Sequence, residues 1–234
     1  MQGYSEFIKK LQEIKAMGYI KTHRAGNTGI GKTLEDLLGI EENNIPGPNG
    51  HLVELKSGRK ESVSMVSLFT KSPLPKSANS ELLQKFGYPT QKSEKELHCT
   101  LKSNKVNCLK GSPTFKIGFK EDSLELQDKK GKMLCYWDKE TLRERFESKY
   151  PGSLLYVKAN SKGKGAKEEF WFNEAWLLWE FSFENFIDLL KDGTICIDLR
   201  IGSYSNGKSH DHGTGFRILP SRLDMCFSNR VSVI

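Results

Sequence analysis

The strongest constraint on this chain is the stretch from Gly26 to Gly58, GNTGIGKTLEDLLGIEENNIPGPNGHLVELKSG. A glycine-rich turn, a short helix, a Pro/Gly/Asn loop and an apolar strand follow one another in it. Leu52, Val53 and Leu55 suit a buried strand, and Gly47, Pro48 and Gly50 supply the turn before it. Side chains alternate across a strand, so Glu54 and Lys56 share one face while Val53 and Leu55 point into the core. A carboxylate and an ammonium so placed fit metal-assisted phosphodiester hydrolysis. The carboxylate holds Mg2+, and the lysine orients or deprotonates the attacking water and offsets charge on the phosphate. The E-x-K pattern also occurs as Glu13-Ile14-Lys15 and Glu147-Ser148-Lys149. Both of those copies fall in predicted helices, where i and i+2 do not share a face. The bland alternative for Glu54 and Lys56 is an edge strand with solvated charges; the apolar flanks, the turn and Glu35 on the upstream helix favour the chemical one.

The same stretch also satisfies a phosphate-cradling pattern, G-x-x-x-x-G-K-[ST], from Gly26 to Thr33. That pattern needs a buried strand before it and a long helix after it. Lys21-Thr22-His23-Arg24-Ala25 is too charged for a central strand, and Gly39 stops the helix early. Ile195-Cys196-Ile197-Asp198 can imitate the magnesium-binding strand of such enzymes without further support, so nucleotide binding stays a minority alternative.

The run G-x-G-K-x-L-E-x-L-L-G from Gly29 to Gly39, followed by G-H-x-V-E-L-K-S from Gly50 to Ser57, resembles the restriction endonucleases of the MvaI/BcnI family. More distantly it is similar to the mismatch-repair nickase MutH, all within the PD-(D/E)xK nucleases. The similarity is specific between Gly26 and Ser57 and looser in the C-terminal third. It implies a catalytic set of Glu35, position 49, Glu54 and Lys56, with position 49, Glu54 and the main-chain carbonyl of Leu55 as metal ligands. Mg2+ is the implied cofactor, and Ca2+ can occupy the site without supporting cleavage. Position 49 departs from the family, with Asn49 where the family has Asp. An amide offers a carbonyl oxygen but no negative charge, so the resemblance leaves room for a chain that binds DNA well and cuts it poorly.

Composition agrees with a polyanionic partner. In 234 residues, 36 Lys and Arg against 29 Asp and Glu give a formal charge of +7 and a pI near 9.0, although a bland basic enzyme looks the same. The length suits one domain or two closely packed lobes. The five cysteines, 99, 108, 135, 196 and 226, are odd in number and form no C-x-x-C pair; they read as reduced, mostly buried thiols. The N-terminus is charged throughout, with Phe7, Ile8, Leu11 and Ile14 at helical spacing, which reads as an amphipathic helix rather than a signal peptide. The expected location is cytoplasmic.

Further along, Ser62 to Thr70 alternates like a strand adjoining the Glu54 strand, and Ser80 is placed to cap a helix from Glu81 to Phe86. Alternating runs at Leu97–Leu101, Phe115–Phe119, Ser123–Leu126 and Lys132–Trp137 suggest hairpins, and Asp138 is placed to cap a helix from Lys139 to Tyr150. Leu154–Lys158 and Glu168–Phe172 read as paired strands around a tip that carries Lys162 and Lys164. Lys32 and Arg59 are further candidate phosphate contacts. Phe183–Leu190 reads as a helix and Thr194–Arg200 as a strand. After it comes a long polar loop, the kind of segment that is often functional. Asp198, Arg200, Tyr204, His210, His212, Arg217 and Arg222 supply groups able to contact base edges or phosphates. His210 and His212 also suit a metal, but no third ligand lies nearby.

The expectation is therefore a mixed α/β, restriction-endonuclease-like fold, a central mixed sheet flanked by helices, with two lobes forming a DNA cleft. Residues 1–180 form the catalytic lobe and 181–234 the recognition lobe. The resemblance implies a monomeric type II restriction endonuclease acting on double-stranded DNA at a short, pseudosymmetric, G·C-flanked site. A cognate DNA methyltransferase is expected in the host, without a stable complex, and no membrane partner. A MutH-like nickase and a DNA-binding protein whose catalytic site has decayed remain alternatives.

Overall fold

The computed structural model describes residues 4–40, 45–46, 52–90, 95–203, 209–211 and 213–234. In chain order the elements are α1 (Tyr4–Ala16), β1 (Ile20–Lys21), α2 (Gly29–Leu38), β2 (Ile45–Pro46), β3 (Leu52–Arg59), β4 (Val66–Thr70), α3 (Ala78–Phe86), β5 (Glu96–Leu101), β6 (Asn107–Leu109) and β7 (Ser112–Phe119). They continue with β8 (Ser123–Asp128), β9 (Met133–Asp138), α4 (Lys139–Lys149), β10 (Ser153–Lys162), β11 (Glu169–Trp179), α5 (Phe183–Lys191), β12 (Ile195–Ser203), β13 (Ser209–Asp211), β14 (Gly215–Ile218) and β15 (Asn229–Ser232). Short 3-10 turns occupy Gly165–Lys167 and Pro220–Cys226. No described helix is long and apolar enough to cross a membrane.

The chain forms two compact units. The first comprises Met1–Ser64, Lys149–Ser182 and Leu223–Ile234, and the second Met65–Ser148 and Phe183–Arg222. Both units are discontinuous in sequence: 65–148 group with 183–222, and 223–234 return to the first unit through β15. The reason is strand pairing: β4 and β5 find their partners in β14 and β12.

In the first unit the sheet runs β1-β11-β10-β3-β2, with β15 also on β11. β3 and β10 are parallel and β10 and β11 antiparallel, so the sheet is mixed. α1 and α2 cover one face because their apolar residues recur at helical spacing: Phe7, Leu11 and Ile14 on α1, and Ile30, Leu34 and Leu38 on α2. They pack against Val53, Leu55, Leu155, Val157, Phe170 and Phe172. α2 ends where Gly39 turns left-handed at φ 69°, with the N–H groups of Gly39 and Ile40 on the carbonyls of Asp36 and Glu35.

The second unit holds a sheet in the order β13-β12-β14-β4, with β5 on the opposite edge of β12, and an antiparallel β6-β7-β8-β9 meander. Its core is aromatic: Phe69 stacks on Phe216 at 4.9 Å, and Phe186 lies 5.2 Å from Phe69 and 5.5 Å from Phe216. Asp138 caps α4 as expected, its Oδ1 accepting from the Thr141 N–H at 2.9 Å.

Two local expectations are corrected. Ser62–Thr70 does not adjoin the Glu54 strand; only Val66–Thr70 is extended, and it pairs with β14 in the second unit. Val63, an apolar residue of that alternating run, is 86% exposed. α3 begins earlier than expected, after Ser77, with Ser80 inside the helix and no side-chain cap at Ser77.

Candidate active site

Three neighbours fix β3. β10 ladders one edge in parallel register, α2 covers the Val53/Leu55 face, and β2 pairs only Leu52 and Val53 on the other edge. From Glu54 onward that second edge carries no strand partner among the described residues. Glu54 and Lys56 lie on the face away from α2, and Lys56 is in register with Tyr156 of β10. Gly58 follows on the same face, where a Cβ would collide with the Tyr156 hydroxyl.

Glu54 is buried at 7% exposure, and both its oxygens have cationic neighbours. Lys56 Nζ donates to Oε1 at 3.2 Å, and Lys149 Nζ lies 3.6 Å from Oε2. A carboxylate at that depth is costly unless it is paired. Burial pulls the Lys56 ammonium below its ordinary pKa, the Glu54 carboxylate pushes it back up, and Lys149 adds to the lowering. Burial and then the Glu54 charge push the buried Tyr150 hydroxyl well above its ordinary value, so this phenol stays protonated beside the carboxylate.

The donor set suits a hard divalent cation. Among the described residues no group of three or more His, Cys, Asp or Glu is placed to hold a metal. Mg2+ needs none, because it keeps several waters and takes one or two carboxylates. Among the described residues Glu54 supplies one such carboxylate.

The second unit gathers its own polar set. Asp198 is buried, with Oδ1 accepting from Thr100 Oγ1 at 2.7 Å and Oδ2 accepting from Arg200 Nε and Arg217 Nη1, each at 2.7 Å. Burial raises its pKa, but the hydrogen bonds from Thr100 and Arg217 and the Arg200 charge outweigh that and hold it low. Its oxygens are thus engaged inside the protein, which corrects the expectation of an acceptor open to a base. Arg217 is also largely internal, with Nη2 on the Met65 carbonyl at 3.0 Å. Arg200 differs: Nε is pinned to Asp198 while the side chain is 50% exposed, and its terminal nitrogens have no hydrogen-bond partner among the described residues.

The family model for the MvaI/BcnI restriction endonuclease family matches residues 8–227. The chain belongs to the MvaI/BcnI restriction endonuclease family. Among solved structures it is similar to the restriction endonuclease MvaI–cognate DNA substrate complex, at 32% identity and TM-score 0.83, with all of both chains covered. It is also similar to MvaI in the absence of DNA, at 31% identity and TM-score 0.59, covering 100% of this chain and 99% of that one. The search of curated proteins gave no match.

The MvaI/BcnI pattern maps unevenly onto the geometry. Glu54 and Lys56 are together. Glu35 lies on α2, its Oε1 near Gly31, which faces Ser57 on the opposite side of β3, and it makes no hydrogen bond or ion pair with Glu54 or Lys56 among the described residues. Asn49, Tyr204 and His212 lie outside the described residues, as does the side chain of His210. Lys32 is paired with Asp36 at 2.6 Å, and only the two-residue edge strand β1 precedes its turn, which removes the strand a nucleotide-cradling loop needs. Lys162 pairs with Glu169 at 2.8 Å and sits over the Tyr19 ring, Lys164 is exposed at the tip, and exposed Arg222 reaches Thr194 Oγ1 at 3.4 Å.

Arg59 is a correction. Its Nε and Nη2 grip the two oxygens of Glu168 at 2.6 and 2.7 Å, and the same guanidinium donates to the carbonyls of Gly26 and Asn27 over the Phe170 ring. It clasps the glycine-rich turn to the start of β11 instead of facing a phosphate. Three neighbours of these groups carry no functional signal of their own in the sequence. Lys149 belongs to the helical E-x-K copy that periodicity set aside. Thr100 and exposed His98 sit on β5, in register with Asp198 and Arg200, in a run read as a hairpin. A double-mutant cycle of Arg59→Ala and Glu168→Ala, followed by urea unfolding, is expected to give a coupling of about 1–3 kcal/mol; additive effects would show that the clasp contributes nothing.

Proposed function

We propose that this family member hydrolyses phosphodiester bonds in double-stranded DNA at a short pseudosymmetric site flanked by G·C pairs, with Mg2+ as cofactor. The observation that carries the reading is the buried Glu54 with Lys56 donating to it, on a strand held by α2 and β10. Glu54, Asn49 and the Leu55 carbonyl would hold the cation, which when bound supplies charge stabilisation and an acidified water. Lys56 holds the attacking water through Nζ and offsets charge on the scissile phosphate. Its lowered pKa favours exchange of a proton with that water. The protein acts as a monomer in the cytoplasm, so a double-strand break takes two successive nicks, and a separate methyltransferase protects host DNA.

Recognition centres on the second unit. Arg200 is held by Asp198 with its outer nitrogens unpartnered among the described residues, an arrangement suited to reading guanine O6 and N7 bidentately. Lys164 and Lys162 at the β10–β11 tip, and Arg222, add phosphate contacts. The test is a time course of plasmid-library cleavage with and without Mg2+. A recurring cut sequence supports the reading, nicks alone favour the nickase, and tight binding without cutting favours the decayed site.

Two substitutions sharpen it. Asn49→Asp adds the missing carboxylate and is expected to raise Mg2+-dependent cleavage at least ~100-fold, about 2.7 kcal/mol of barrier; an unchanged rate would remove position 49 from the metal shell. Arg200→Ala is expected to cost about 1–3 kcal/mol of affinity for cognate DNA and little for random duplex. Equal losses on both would assign Arg200 to phosphate contact.

A further inference from the structure

Lys149 stands beside the proposed site without a part in the reaction. It is the last residue of α4, its side chain is 28% exposed, and Nζ lies 3.6 Å from Oε2 of Glu54, the oxygen that Lys56 does not serve. We propose that Lys149 is a resident counter-cation of Glu54, neutralising the carboxylate in the metal-free protein and competing with a divalent cation for it. The inference rests on Glu54 being the metal-binding carboxylate.

The geometry supports competition rather than a fixed pair. Lys56 meets Oε1 at hydrogen-bonding distance, whereas the 3.6 Å contact of Lys149 is ionic only. An ammonium so held leaves more readily than one locked by a directed bond. Its stem enters from a more exposed position than the 7%-exposed Glu54, so it can withdraw along its own length. A divalent ion on Oε2 at ~2.1 Å would stand within about 6 Å of Nζ, where like charges in a poorly solvated site repel strongly. With Lys56 on Oε1, the ion and Lys149 compete for Oε2.

The test titrates Mn2+, a hard-oxygen probe, into the full chain without DNA at pH 8 and reads binding by loss of the free-ion EPR signal. Lys149→Met is expected to bind Mn2+ about tenfold more tightly than the parent, Lys149→Arg like the parent, and Glu54→Gln is expected to remove the site. Thermal unfolding without metal confirms that each variant is folded, and Lys149→Gln carries the same expectation if the methionine variant is not. Mn2+ affinity in Lys149→Met equal to or below the parent's, with the site still lost in Glu54→Gln, overturns the inference and leaves the metal role of Glu54 standing. Mn2+ binding unaffected by Glu54→Gln, or absent from every variant, overturns both.

Discussion

Putting the Glu54 carboxylate at 7% exposure on a sheet face makes demands on everything around it. Desolvated negative charge has to be offset locally, and here Lys56 from the same strand and Lys149 from the end of α4 provide the offset. Holding those groups in place requires β3 to be rigid, which the parallel ladder to β10 and the Ile30/Leu34/Leu38 stripe of α2 achieve. The Arg59–Glu168 clasp secures the turn that launches α2. Apolar packing on one face of β3 thus positions ionic chemistry on the other.

The second unit repeats the logic with the signs exchanged. A buried carboxylate, Asp198, organises two guanidinium groups instead of being organised by ammonium groups. One of them, Arg217, is drawn inward, and the other, Arg200, keeps its terminal nitrogens without a hydrogen-bond partner among the described residues. An arginine pre-positioned in this way loses less side-chain freedom when it meets any ligand.

Much of the first unit was legible because its signals are local. The Val53/Leu55 alternation, the helical spacing in α1 and α2, and the Gly39 stop each depend on residues a few positions apart. What escaped depends on distant partners. Ser62–Thr70 has the alternation of a strand, but alternation does not say which sheet it joins. Arg59 reads as an exposed cation until Glu168, 109 residues later, is placed beside it. Thr100 gains meaning only through Asp198, 98 positions on. Lys149 was set aside on sound helical grounds, since Glu147 does not share its face; its partner is the glutamate of the strand copy instead.

The central claim is that the Glu54 carboxylate is the charge around which phosphodiester cleavage is built. The most direct measurement is single-turnover cleavage and filter binding of the same cognate duplex by the parent and Glu54→Gln at one Mg2+ concentration. The substitution keeps shape while deleting the charge and one acceptor oxygen, so cleavage is expected to fall at least ~100-fold. Affinity for the duplex is expected to hold or rise, because a negative charge near the phosphate is gone. Cleavage by Glu54→Gln at the parent's rate would contradict the account.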